Sequence, residues 1–188
     1  MLSMNDPKIL SEGKGSVVIE APGKTDYFID MNTGNAPANA PFCYEKQEGD
    51  FVMRAKVKPA FAKTFDAGAL FVYDTAKKWV KFAFELSDLG YPSAVSVVTD
   101  KVSDDCNGES LEGKEEVWLQ LCRKGDNWAL HYSENGKKWN MVRYFSLKMK
   151  PVVKVGFLAQ SPTGKGCIVE FSGMKLTEYN LKDMRKGV

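Results

Sequence analysis

The chain has 188 residues, of which 44% are hydrophobic, 27% charged and 12% aromatic. Lysine and arginine sum to 26 and the acids to 24, a net charge of +2. That balance supplies no global field to gather nucleic acid or anionic lipid, and no apolar run approaches the ~20 residues a membrane-spanning helix needs. The expectation is one domain over residues 1–188, with neither nucleic acid nor membrane as partner.

The stretch Met1 to Leu10 carries Asp6, Pro7 and Lys8 and lacks the apolar core of a secretory signal. A cytoplasmic location with four reduced cysteines (Cys43, Cys106, Cys122 and Cys167) is therefore expected. No C-x-x-C pair occurs and His131 is the one histidine, so neither a metal nor a cofactor is expected. A Cys–His dyad would have to use His131, and no local motif supports one.

Period-two alternation recurs along the chain, the mark of strands with one buried face. Phe51, Met53, Ala55 and Val57 alternate with Val52, Arg54 and Lys56. Asp66 precedes a strand over 67–73, which the turn Asp74 to Lys78 folds back onto a strand over 79–86. Leu89-Gly90-Tyr91-Pro92 then leads to a strand over 94–99, and Ser103 to Gly108 reads as an Asx-rich turn. Strands over 117–123 and 128–133 flank Lys124-Gly125-Asp126-Asn127, and Asn135-Gly136 is a strong hairpin signal. A strand over 152–160 follows, and Thr163-Gly164-Lys165-Gly166 reads as a further hairpin turn. About ten strands without amphipathic helices predict an all-β sandwich or barrel rather than βαβ units. The tail, residues 180–188, is expected to fray or form a short helix, with Lys182, Arg185 and Lys186 solvated.

Read together, several stretches carry a resemblance. They include Asn39-Ala40-Pro41-Phe42, Glu48-Gly49-Asp50-Phe51, Phe65-Asp66-Ala67-Gly68-Ala69-Leu70 and Trp79-Val80-Lys81-Phe82-Ala83-Phe84-Glu85. Val95 to Thr99, Ser103 to Gly108, Val117-Trp118-Leu119, His131-Tyr132-Ser133 and Gly156 to Pro162 follow in order. From about residue 8 to residue 178 the chain resembles the domain family of unknown function related to the regulation-of-enolase proteins. The resemblance implies a concanavalin A-like jelly-roll sandwich of two antiparallel sheets. It brings no firmly assigned reaction. The paired-acid strand pattern of jelly-roll glucanases, E-x-D-x-x-E or E-x-D-x-E, is absent: Glu115-Glu116 and Asp104-Asp105 are adjacent, so within a strand each pair points to opposite faces.

The strand over 79–86 is the most informative. Val80, Phe82, Phe84 and Leu86 form a core face, whereas Trp79, Lys81, Ala83 and Glu85 place an indole beside two opposite charges. On an open sheet face, Trp79 would stack on a sugar while Asp66, Lys81, Glu85 and Arg123 bond its hydroxyls. Ser96, Thr99, His131 and Gln160 complete the candidate set, Ser96 and Thr99 facing opposite ways. The bland reading makes the same face solvated, with Lys81 and Glu85 a weak ion pair.

Three functions are weighed in this order. The first is binding of a saccharide or related small polar ligand by a monomer or homodimer. A regulatory protein-interaction domain comes second and predicts an exposed apolar patch. Third is a glycan-acting enzyme using Glu85 or Asp66 as its acid or base.

Overall fold

The computed structural model describes residues 1–188. It contains fourteen strands and no helix. In chain order they are β1 (Leu2–Met4), β2 (Lys8–Gly13), β3 (Ser16–Pro22), β4 (Phe42–Glu48), β5 (Phe51–Pro59), β6 (Ala67–Thr75) and β7 (Lys78–Leu86). They continue as β8 (Pro92–Asp100), β9 (Val102–Ser110), β10 (Val117–Lys124), β11 (Asn127–Ser133), β12 (Asn140–Ser146), β13 (Val152–Gln160) and β14 (Gly166–Glu178).

Every pairing is antiparallel, and the strands form two seven-stranded sheets. The first runs β1-β4-β13-β6-β7-β8-β9 and the second β12-β11-β10-β5-β14-β3-β2. The fold is a jelly-roll sandwich. Period-two alternation explains the arrangement, because it gives each strand one wholly apolar face to bury against the opposite sheet. Met53, Ala55 and Val57 of β5, Val80, Phe82 and Phe84 of β7, and Leu119 and Leu121 of β10 meet in a 29-residue core.

Two turn readings change. Ser103–Gly108 lies within the edge strand β9, where pairing with β8 supplies the backbone bonds an Asx turn would have made. Thr163–Gly166 does not close a hairpin: β13 pairs with β4 and β6, β14 with β3 and β5, so this turn crosses from sheet to sheet. The Asn135-Gly136 and Gly125 turns do close hairpins, β11–β12 and β10–β11. In β14 the register shifts between Ser172 and Lys175. Gly173 sits there at φ 59°, tight against the Trp118 ring, a place that favours a residue without a Cβ.

The outer faces of both sheets are also covered. Segment 23–41, between β3 and β4, crosses the first sheet, and Tyr27 and Ala40 pack with Phe42, Phe71, Trp79, Ala83, Val97 and Leu158 in a second apolar cluster. The tail covers part of the second sheet, where Leu181 meets Val52, Cys122 and Ala129. It neither frays nor forms a helix. Asp183 and Val188 exchange backbone hydrogen bonds (2.6 and 3.2 Å), and Gln120 Nε2 donates to the Gly187 carbonyl at 3.2 Å.

Candidate binding pocket

The odd residues of β7 share a face with those of its neighbours. Lys81 is in register with Phe71 of β6 and Val97 of β8, and Glu85 with Ala67 and Ser93. Gln160, opposite Ala67 at the end of β13, joins the same face. Above them segment 23–41 supplies Asp26 and Phe28, the approach to β6 supplies Phe65, and β9 supplies Asp105. Together these residues line a cavity of about 170 Å³.

Lys81 forms the floor and is 2% exposed. Its ammonium donates to Asp26 Oδ1 (3.0 Å), the Tyr27 carbonyl (3.0 Å) and Gln160 Oε1 (2.9 Å). All three hydrogens are spent, which is how a buried ammonium becomes tolerable. The expected Lys81–Glu85 ion pair is replaced by Lys81–Asp26, since the covering segment brings its own acid onto the amine. Gln160 is similarly occupied: its amide nitrogen donates to the Phe65 carbonyl (3.1 Å) and to Glu85 Oε2 (3.4 Å).

Glu85 is the least satisfied member. It is 5% exposed, and that long bond from Gln160 is its one side-chain partner. Burial pushes its carboxyl up to about 8, opposed by Lys81 and reinforced by Asp105, Asp26 and Asp88. Asp105 is exposed along β9, yet its carboxyl at the pocket mouth is also raised, first by desolvation, with Lys81 opposing. Phe65 stands at the rim with φ 73°, a left-handed conformation that a bulky residue rarely adopts. It is anchored on both sides, its amide donating to the Leu86 carbonyl at 2.7 Å and its carbonyl accepting from Gln160.

The sequence candidates divide. Lys81, Glu85 and Gln160 come together in the pocket. Trp79 shares their face, but at 1% exposure it lies in the second apolar cluster beside Tyr27 and Phe71, with ring centroids 6.0 and 5.6 Å away. It is not a stacking platform, because segment 23–41 closes over it. Thr99 is buried against Ser103, their hydroxyls 2.9 Å apart, and the Ser103 hydroxyl also receives the Ile29 amide at 2.8 Å. Ser96, opposite Phe82, points into the inter-sheet core, where its hydroxyl has no partner. Asp66 is fully buried and structural. It accepts the Ala62 and Lys63 amides (2.9 and 2.8 Å) and the Ser161 hydroxyl (2.6 Å), leaving no oxygen free for acid–base work.

Arg123 and His131 belong to the other sheet. Arg123 caps the carbonyls of Gly125, Met149 and Lys150. His131 is fully buried under the tail, 3.3 Å from Gln120 and from the Arg185 carbonyl, and burial lowers its basicity. Arg123 lies at the end of its strand and strand ends can converge at one rim, whereas His131 lies within its strand on a face shared with Ser133. The sheet order separates both from the β7 face. Asp26, Phe28, Phe65 and Asp105 were missed. Asp26 and Phe28 lie outside any strand pattern, and Asp105 reaches the site through the β8–β9 pairing that the turn reading of 103–108 concealed.

All four cysteines are free. Burial raises the Cys43 thiol to about 11 and those of Cys122 and Cys167 to about 12, which keeps them protonated and unreactive.

A jelly-roll sandwich with an acid-lined pocket on a covered sheet face is the class these features define. The chain belongs to the family described as "Protein of unknown function (DUF1349)", which matches residues 3–179. It is similar to Regulation of enolase protein 1 of Saccharomyces cerevisiae, 25% identical over 174 residues, or 93% of this chain and 87% of the yeast one. A solved structure of a functionally unknown protein from Saccharomyces cerevisiae superposes with a TM-score of 0.89 at 24% identity, covering 95% of this chain and 96% of that one. More distant folds include a xylan beta-1,4-xylosidase from Bacillus halodurans C-125 (TM-score 0.66, 12% identity), where the likeness covers 86% of this chain and 33% of the enzyme. Lectin I-B4 from Griffonia simplicifolia is similar at TM-score 0.56 and 10% identity over 87% of this chain and 93% of the lectin.

Proposed function

We propose that this protein binds a small hydroxyl-rich molecule, such as a single sugar residue, in the pocket between Phe65, Phe28, Glu85 and Asp105. One observation carries the reading: a cavity of about 170 Å³ sets the rings of Phe28 and Phe65 beside the carboxyl groups of Asp26, Glu85 and Asp105 above the Lys81 floor. Ring faces suit the C–H surface of a sugar, and fixed acceptors suit its hydroxyls. The strained backbone at Phe65 supports it further, since such conformations concentrate at ligand sites and here the strain holds the ring at the rim. Saccharide-handling names among the distant folds, a xylosidase and a lectin, agree in kind.

Calorimetric titration with glucose and xylose tests the reading, repeated on Phe65→Ala. Phe65 is 36% exposed, so its loss should leave the fold intact while weakening binding about tenfold. Equal heats from both proteins, or none from either, would remove the proposal.

A further inference from the structure

Within the pocket just assigned, and resting on that assignment, we infer that the bound molecule carries a basic amine that sits on Glu85. The inference follows from counting donors and acceptors. Lys81 has spent its three hydrogens, and the Gln160 amide donates to Phe65 and Glu85. On the acceptor side, Glu85 Oε1 has no protein partner although the residue is 95% withdrawn from solvent, and Asp105 lines the mouth. Asp26 adds a third carboxylate, with Oδ1 alone engaged, by Lys81 and the Tyr27 amide (2.7 Å).

Charge points the same way. The charged groups around Glu85 are Lys81 on its own strand, Asp105 from β9, Asp26 from the covering segment and Asp88 from the turn after β7. Lys81 is the one cation among them and is already committed to Asp26, so an ionised Glu85 has no cation of its own. A neutral sugar would find acceptors here but would give an ionised Glu85 no counter-ion. An ammonium supplies the missing donors and the counter-ion that lets Glu85 ionise, and a hydrogen-bonded charge pair out of water is stronger than a neutral bond. In the empty pocket Glu85 keeps its proton. On binding it releases that proton to solvent and meets the amine as a carboxylate.

Protein-observed NMR titration at pH 6.5 with glucosamine, glucose, N-acetylglucosamine and ethanolamine tests this. Glucosamine should bind about tenfold more tightly than glucose or N-acetylglucosamine, perturbing Val97 and Gln160. Glu85→Gln should erase most of that advantage. Asp105→Asn, on the exposed edge strand, should reduce it and serves if the buried variant folds poorly. Equal affinities for glucosamine and the two uncharged sugars would overturn the amine and leave the sugar pocket standing. Ethanolamine binding as tightly as glucosamine, with glucose silent, would support the amine and sink the sugar reading. Silence from all four would end both.

Discussion

Glu85 concentrates the tension between stability and function. Its neighbours do not neutralise it, because the nearby lysine is held by Asp26 and Gln160. A carboxyl raised to about 8 in the fold, against about 4.5 when exposed, keeps a proton that the unfolded chain has lost between those two values. The folded state then binds more protons, so its stability falls as pH rises through that window. At roughly 1.4 kcal/mol for each pKa unit, the cost above pH 8 reaches several kcal/mol. Replacing Glu85 by Gln should therefore raise stability by about 2–4 kcal/mol at pH 9 and change it little at pH 4.5. Thermal unfolding of both proteins across that range checks this, and parallel curves would show that the carboxyl is not strained. A residue whose removal stabilises the fold is one that the fold alone does not require.

Among the elements, segment 23–41 has the largest consequence. It contains no named strand, yet it converts the open face of the first sheet into an apolar layer with a pocket at one end. Tyr27 packs on Phe71 at 4.8 Å and meets Trp79 edge-on at 6.0 Å, while Asn5 donates to the Tyr27 hydroxyl at 3.0 Å. Asp26, one residue away, holds Lys81. The indole thus acts as the seat on which this cover rests. Trp79→Ala should cost about 3–5 kcal/mol, as large aromatic truncations in cores do. It should also speed amide hydrogen exchange across residues 25–40 more than in β5 or β10. A platform indole in an open groove would give neither result, so a variant of near-normal stability would refute this account.

Across the whole molecule, a second cover occupies the opposite side. The tail lies on the outer face of the second sheet, tied through Gly187 to Gln120 and through the Arg185 carbonyl to His131. Arg54 donates to the same Gln120 and stacks on Trp139 at 5.2 Å, which places a cation close to the imidazole. Burial, with Arg54 adding to it, lowers His131 below its usual 6.5. The unfolded chain then takes up a proton that the folded one refuses, so this contribution is complete above pH 6.5 and is lost as pH falls through the folded value. Acidification from pH 7 to 5 should release the tail, seen as faster exchange at 183–188, and His131→Asn should flatten that dependence. The slope is opposite in sign to that from Glu85, so each substitution isolates its own part.

The strands and their inward faces were legible because alternation is a local property: Val80, Phe82 and Phe84 announce a buried face without reference to any other strand. Lys81 and Glu85 could be singled out for the same reason, as charged residues on the alternate face of an apolar strand, and Gln160 as a polar residue at a strand end. The fate of the outward faces could not be read this way. Trp79 and His131 stand on faces that the pattern leaves open, and whether such a face meets water depends on where irregular chain comes to rest. Segment 23–41 and the tail have no period to betray their docking, and the sheet order that sends Arg123 away from Glu85 is a matter of non-local pairing. Local periodicity set the two layers, whereas long-range packing decided which polar residues share a pocket.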